Sequence, residues 1–399
     1  MTAAALRLWG WARAHPVLAV FLLALAVRVV VAFGIFLVHD GTMFPDDRFF
    51  FTLADDRASG ASAQWTPYEH ALFNNTATFL WPLTAVFWLT GSSVFAGQLL
   101  VAVAGALAAA LTTAVGVRAL RVPWAIAAGT VMAVLPSVVL WSSLTLKDAF
   151  VWCVVIALAL GVCELKGTGQ RFAVVGAGIV VLLFALSHLR DQSFVIAVWA
   201  LAVALLLGSG TDWPRRALFG VAVLLVLPAA LGYGLGGIPW IKTASPEVEV
   251  RRVGNAVGAS TALTCDASKG GISGKIEHLP CGLPAVVLRP YPWETDGSTS
   301  VRLARLEAAL WYPLLVLSIY GLLRGWSRRR SLGFPALYAG AIVLVYALTE
   351  GNIGTAFRHR AECVWAVALF AALGAQTIVD RRARPVDADV QEPTGTLVG

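Results

Sequence analysis

The chain has 399 residues, 58% of them hydrophobic and only 13% charged, with a mean hydropathy of +0.75. Soluble domains carry about 25% charged residues and at most about half apolar ones, so a water-soluble enzyme, a disordered chain and a disulfide scaffold are excluded. The net charge of +7 would point to nucleic acid only if the cations clustered, and they are instead scattered over short turns between apolar runs.

A bilayer span needs roughly 20 mainly apolar residues. Ten segments read as spans in chain order: 17–38, 94–115, 122–140, 149–162, 172–187, 194–207, 217–235, 306–323, 334–348 and 363–379. The stretch 76–89 is also apolar but is interrupted by Pro82, and reads as an interfacial helix in the first outer loop. The expected architecture is therefore all-α: a polytopic membrane protein of about ten helices, with residues 1–384 forming one integral membrane domain. The first apolar run, 22 residues long, exceeds the roughly 7–15 residues of a signal-peptide core and is expected to stay as the first helix. The tail 385–399, with Pro385 and Pro393, reads as disordered.

Charge sorts the two faces. With ten spans, one face receives fifteen Lys/Arg against six Asp/Glu, and the other fourteen against seventeen. Every short turn on the first face is basic, which by the positive-inside rule makes it cytoplasmic, termini included. An integral cell-membrane protein is expected. Most of the +7 is thus a topology signal, and function is to be sought among the polar groups of the outer face.

The outer face collects Asp40, Asp46, Asp47, Asp55 and Asp56 in the first loop, then Lys147 and Asp148 after the third span. His188, Arg190 and Asp191 follow in a tight turn, and Glu350, Arg358, His359 and Arg360 precede the last span. Cations retained in short outer turns run against the topological bias and mark a site. Paired carboxylates such as Asp46 and Asp47 suit acid/base work or a divalent metal, with Phe50 beside them as a sugar-stacking ring. Asp55 and Asp56 read as a solvated loop. Arg28, midway along the first span, must find partners or line a cavity. The long outer loop 236–300 carries Cys265 and Cys281, which either pair as a disulfide or remain two free thiols, and is expected to cover the site and shape acceptor choice. Cys153, Cys163 and Cys363 read as small apolar residues.

The run Asp46-Asp47-Arg48-Phe49-Phe50-Phe51-Thr52-Leu53-Ala54 resembles the Asp-Glu-x-x-Tyr-x-x-x-Ala pattern that follows the first helix of GT-C superfamily membrane glycosyltransferases, in particular those similar to protein mannosyltransferases and aminoarabinose transferases. Asp stands for Glu and Phe50 for Tyr. The exit of the third helix, ending in Lys147-Asp148, and Arg358-His359-Arg360 before the last span look like further elements of that family. The resemblance implies a sugar donor carried on a polyprenyl phosphate and an acceptor that is a glycan, a lipid or a protein. It makes Asp46 the general base, Asp47 or Asp148 its orienting acid, and Arg358 and Arg360 the phosphate clamp, with His359, Lys147 and Arg190 as further substrate contacts. A divalent metal, Mg²⁺ or Mn²⁺, at Asp46 and Asp47 stays open, since some relatives use one and others do not. Two other readings also stay open: an outer-face glycan polymerase or ligase, and a flippase for lipid-linked glycans.

Overall fold

A computed structural model describes residues 2–208, 210–232, 263, 271–294, 299–324 and 329–383; the tail 385–399 and most of the loop 236–300, Cys265 included, lie outside them. All regular structure described is helical. The helices are α1 (Ala3–Ala14), α2 (Pro16–His39), α3 (Pro45–Ser59), α4 (Pro67–Asn75), α5 (Ala77–Thr90), α6 (Val94–Gly116), α7 (Val122–Val134), α8 (Pro136–Trp141) and α9 (Asp148–Glu164). Then come α10 (Gln170–Ser187), α11 (Asp191–Leu206), α12 (Trp213–Ala230), α13 (Gly271–Val287), α14 (Thr299–Arg324), α15 (Arg329–Thr349), α16 (Ile353–Arg360) and α17 (Val364–Arg382).

The starts follow from local chemistry. Proline opens α2, α3, α4 and α8, where its missing N–H costs nothing. Thr66 and Glu69 form a reciprocal capping box on α4, and Ser93 caps α6. Among the described residues, seven stretches are long and apolar enough to cross a membrane: α2, α6, α10, α12, most of α14 and α15, and the run from α16 into α17. The other three expected spans are helical but shorter. They are α7 with α8, the 17-residue α9 and the 16-residue α11.

Two differences from the sequence reading have plain causes. The segment 122–140 is not one helix, because Leu135, preceding Pro136, is extended at φ −63°, ψ 125°. The segment between α2 and α6 is not a loop with one interfacial helix but carries three consecutive helices, α3, α4 and α5. Helix α5, 14 residues and so about 21 Å long, is too short to cross a hydrocarbon core of about 30 Å, and packs on α3 and α6.

Helix α6 is the hub, packing on α2, α7 and α9; among the described helices α14 and α17 pack most extensively on each other. A Cβ on Gly321 would lie 1.9 Å from the Phe370 carbonyl, and one on Gly374 would lie 2.2 Å from that of Leu317. Backbone-to-backbone contact of this kind is how helices associate where lipid removes the hydrophobic drive.

Arg28 is fully buried inside the bundle. Its Nε donates to Ser142 Oγ at 2.7 Å, Nη2 to the Met132 carbonyl at 2.9 Å, and Nη1 to the carbonyls of Ala24 and Ala133 at 3.1 and 3.3 Å. The helix break explains these acceptors. Met132 would bond the N–H of residue 136, but Pro136 has none. Ala133 would bond the N–H of Ser137, but that group donates to Glu307 Oε2 at 2.6 Å. Arg28 thus caps the carbonyl end of α7, where the helix dipole favours a cation. A Cβ at Gly105 would lie 2.5 Å from Arg28 Nε and 2.6 Å from Ser142 Cβ, whereas Gly34 on α2 has no neighbour within 4 Å. Gly105→Ala is therefore expected to destabilise by about 1–3 kcal/mol through overpacking, and Gly34→Ala to be neutral or stabilising by up to about 1 kcal/mol. Thermal unfolding of the two variants in one detergent checks the contrast; equal shifts would contradict this account of Arg28.

Candidate active site

The end of the bundle where α2 leaves and α9 and α11 begin gathers most of the expected polar residues. Asp46 and Asp47 lie in the first turn of α3, Asp148 is the first residue of α9, Arg190 is the N-cap of α11, and Arg358 lies in the last turn of α16. Carboxylates at helix starts are stabilised by the backbone dipoles there. Helix α16 is capped by Asn352, whose side chain accepts from Gly354 N at 2.9 Å, and this short cap aims the Arg358 turn at α9.

These residues form an alternating chain of acids and guanidinia. Arg358 donates from Nη1 to Asp46 Oδ2 at 2.6 Å, and from Nη2 and Nε to Asp148 Oδ2 at 2.6 and 3.1 Å. Arg190 donates to Asp148 Oδ1 at 2.8 Å and to Glu362 Oε2 at 2.6 Å. Glu362 also accepts from Ser193 at 2.5 Å, Tyr346 at 2.6 Å and Tyr338. Exposure is confined to one end of the chain: Glu362, Arg190 and Asp148 are 1%, 9% and 1% exposed, Arg358 14% and Asp46 61%. Asp46 is thus the one acid of the chain open to an incoming molecule.

The electrostatics follow from this packing. Burial alone would raise the Asp148 carboxyl, but the Arg358 and Arg190 guanidinia outweigh it and hold it well below the usual carboxylate range. Lys147, beside it, donates to the Leu189 carbonyl at 2.8 Å and sits 5.9 Å from the centre of the Phe50 ring. Burial, helped by the Arg190 charge, brings its ammonium down to about 7.

Four expected residues have other occupations. Asp47 is buried, with both oxygens accepting backbone N–H groups, from Met43 at 2.9 Å and Phe44 at 3.1 Å; it caps α3 and so places Asp46. No group of three or more His, Cys, Asp or Glu suited to a metal occurs among the described residues. Phe50 is a core ring, 7% exposed and edge-on to Phe79, so it forms a floor under Lys147 and offers no face to a sugar. Arg360 stands two residues from Arg358, about 200° round a helix. It pairs with Glu307 at 3.1 Å and donates to the Arg289 carbonyl at 3.2 Å, away from the chain of acids. His359 bonds Glu350 through Nδ1 at 2.5 Å and stacks on Tyr346. Asp55 and Asp56 hold Ser92 and Trp65 locally. Cys153, Cys163 and Cys363 are free, and Cys281 is disulfide-bonded.

Glu362, Tyr338, Tyr346 and Ser193 were not singled out from the sequence. A faint signal existed: Tyr338 and Tyr346, eight apart on α15, share one face of an apolar helix, and Glu362 stands one turn beyond Arg358.

No protein-family model matches the chain, and no curated protein matches it. Solved structures do share its fold. ArnT from Cupriavidus metallidurans bound to undecaprenyl phosphate superposes with a TM-score of 0.51 at 14% identity, over 92% of this chain and 60% of that one. The archaeal oligosaccharyltransferase AglB from Archaeoglobus fulgidus, in complex with an inhibitory peptide and a dolichol-phosphate, gives 0.55 at 14% identity, over 93% of this chain and 51% of that one. The chain therefore shares the helical membrane fold of these two proteins and spans little more than half of their length.

Proposed function

We propose that the chain is a glycosyltransferase that moves a sugar from a polyprenyl-phosphate-linked donor to an acceptor at the extracytoplasmic face, with both termini cytoplasmic. The observation that carries this reading is the exposed Asp46 carboxylate, held on an Arg358 that is itself locked from behind by buried Asp148. One shared guanidinium fixes a base and a phosphate-binding cation within a few ångströms of each other.

In the reaction, the acceptor O–H gives its proton to Asp46 as its oxygen bonds the anomeric carbon. The bond from that carbon to the phosphate oxygen breaks, and the electron pair leaves with the polyprenyl phosphate. Arg358 keeps N–H groups beyond those bonded to Asp46 and Asp148, and these meet the developing charge. Lys147 adds a second cation from the same rim. The shared fold with proteins that bind undecaprenyl phosphate and dolichol-phosphate supports the donor class. Arg28, the charge deepest in a span, is fully engaged at a helix break, which supports a structural role for it rather than a transport path.

Purified protein in lipid, given radiolabelled polyprenyl-phosphate sugars, is expected to consume at least one donor; no turnover of any would count against the proposal. Lys147 supplies a pH signature. Its ammonium is charged below about 7, so donor binding is expected to weaken as pH rises through that value. The Lys147→Arg variant keeps its charge and should lose this dependence. The same depressed value means that the unfolded chain holds the proton more strongly, so Lys147 makes the fold gain stability as pH rises from about 7 to about 10.4.

A further inference from the structure

The last described stretch of the long outer loop carries a feature that the acid and guanidinium chain does not use. The carbonyls of Val287, Leu288 and Arg289 accept from Trp311 Nε1 at 2.7 Å, Tyr312 OH at 3.0 Å and Arg360 Nη1 at 3.2 Å. Three consecutive peptide groups are thereby fastened to α14 and to the end of α16, two residues from Arg358. Beyond them the chain turns on itself: Arg289 Nε meets Glu294 Oε1 at 2.7 Å, Glu294 Oε2 accepts from Tyr291 N at 3.2 Å, and Glu294 N donates to the Tyr291 carbonyl at 3.1 Å. The turn presents Tyr291 and Trp293 stacked in parallel, 5.0 Å apart at 6°, with Trp293 74% exposed.

From this geometry we infer that the turn 289–294 is an acceptor subsite that stacks a neutral saccharide ring on Trp293. The inference rests on the transferase reading for its purpose and on the turn alone for its chemistry. A sugar offers a C–H face and a hydroxyl rim; here a flat indole stands beside a guanidinium and a carboxylate, all held before a ligand arrives. A bilayer anchor has different surroundings. Trp81 and Trp88 lie on the apolar helix α5, next to Leu89, which is 86% exposed. Trp293 instead lies in Arg-Pro-Tyr-Pro-Trp-Glu, between ion-paired residues.

The test uses the full chain in lipid nanodiscs and saturation-transfer NMR with methyl glucoside, methyl mannoside, methyl galactoside and a neutral tetrasaccharide as probes. Wild-type protein and Trp293→Phe are expected to saturate the ring C–H protons of at least one probe. Trp293→Ala should weaken that binding about fivefold to tenfold, as for loss of one aromatic stack. Trp199→Ala, an exposed tryptophan on α11, should leave it unchanged. Two results overturn the inference: no saccharide contact in wild type, or contact that survives Trp293→Ala. A third is quenching by brominated lipid of the fluorescence that distinguishes wild type from Trp293→Phe, which would make Trp293 a membrane anchor. The readout needs no donor. A chain that binds saccharide through Trp293 but consumes no donor would therefore sink the transferase reading alone, and donor turnover without this contact would sink only the subsite.

Discussion

Asp148→Asn is expected both to abolish transfer and to destabilise the fold by about 3–5 kcal/mol, the usual consequence of removing one partner from a buried ion pair. Asp148 is 1% exposed and holds two guanidinia, Arg358 and Arg190, that are themselves nearly buried. With an amide in its place, two positive charges lose their common anion in a region with little water to replace it. Arg190 keeps Glu362, but Arg358 keeps only the exposed Asp46, so the Arg358 end should swing and take the phosphate contact with it. The acid limb of the pH–stability curve gives a second readout. Because the folded Asp148 carboxyl lies below the usual carboxylate range, its contribution is fully present above the unfolded value of about 3.9 and is lost as pH falls below it. The variant should lack this part of the acid limb. Thermal unfolding in detergent from pH 3 to 7 measures both effects, and a variant as stable as wild type throughout would show that the ion pairs around Asp148 are not holding this end of the bundle together.

How far the sequence led depends on what its signals encode. Apolar length made the helical membrane architecture legible, because the bilayer imposes it on every span. Asp46, Lys147, Asp148, Arg190 and Arg358 were legible because ionised groups at a membrane boundary stand out against an apolar background, and the structure brings them to one end of the bundle. Their order was not legible. Asp46 and Asp47 look alike in sequence, yet the step of about 100° between neighbours on a helix makes the first an exposed carboxylate and the second a buried cap. Arg358 and Arg360 read as one clamp, and helical rotation sends them to different acids. Glu362, which closes the chain of ion pairs, was masked because an acid next to an apolar span looks like a boundary residue until its four donors are seen. Most partners of Arg28 were equally hidden, since they lie at a helix break more than 100 residues away.

The complementary prediction separates chemistry from scaffolding at the other end of the same chain of charges. Asp46→Asn should leave the fold intact, because its carboxylate is 61% exposed and an ion pair open to water contributes about 0–1 kcal/mol. It should nonetheless lower the rate of transfer by about 10²–10⁴, the range for removing a positioned general base, since an amide can still accept from Arg358 but takes no proton from the acceptor. Donor affinity should change little, because Arg358 and Lys147 remain. Asp46→Glu restores the base on a longer arm and should recover part of the rate, whereas Asp148→Asn should not be rescued by any change at Asp46. Single-turnover transfer from a radiolabelled polyprenyl-phosphate sugar, with donor binding measured on the same samples, gives the two quantities separately. If Asp46→Asn kept the wild-type single-turnover rate, the proton would have to leave by another group, and the exposed end of this ion-pair chain would be a docking point for phosphate and no longer a base.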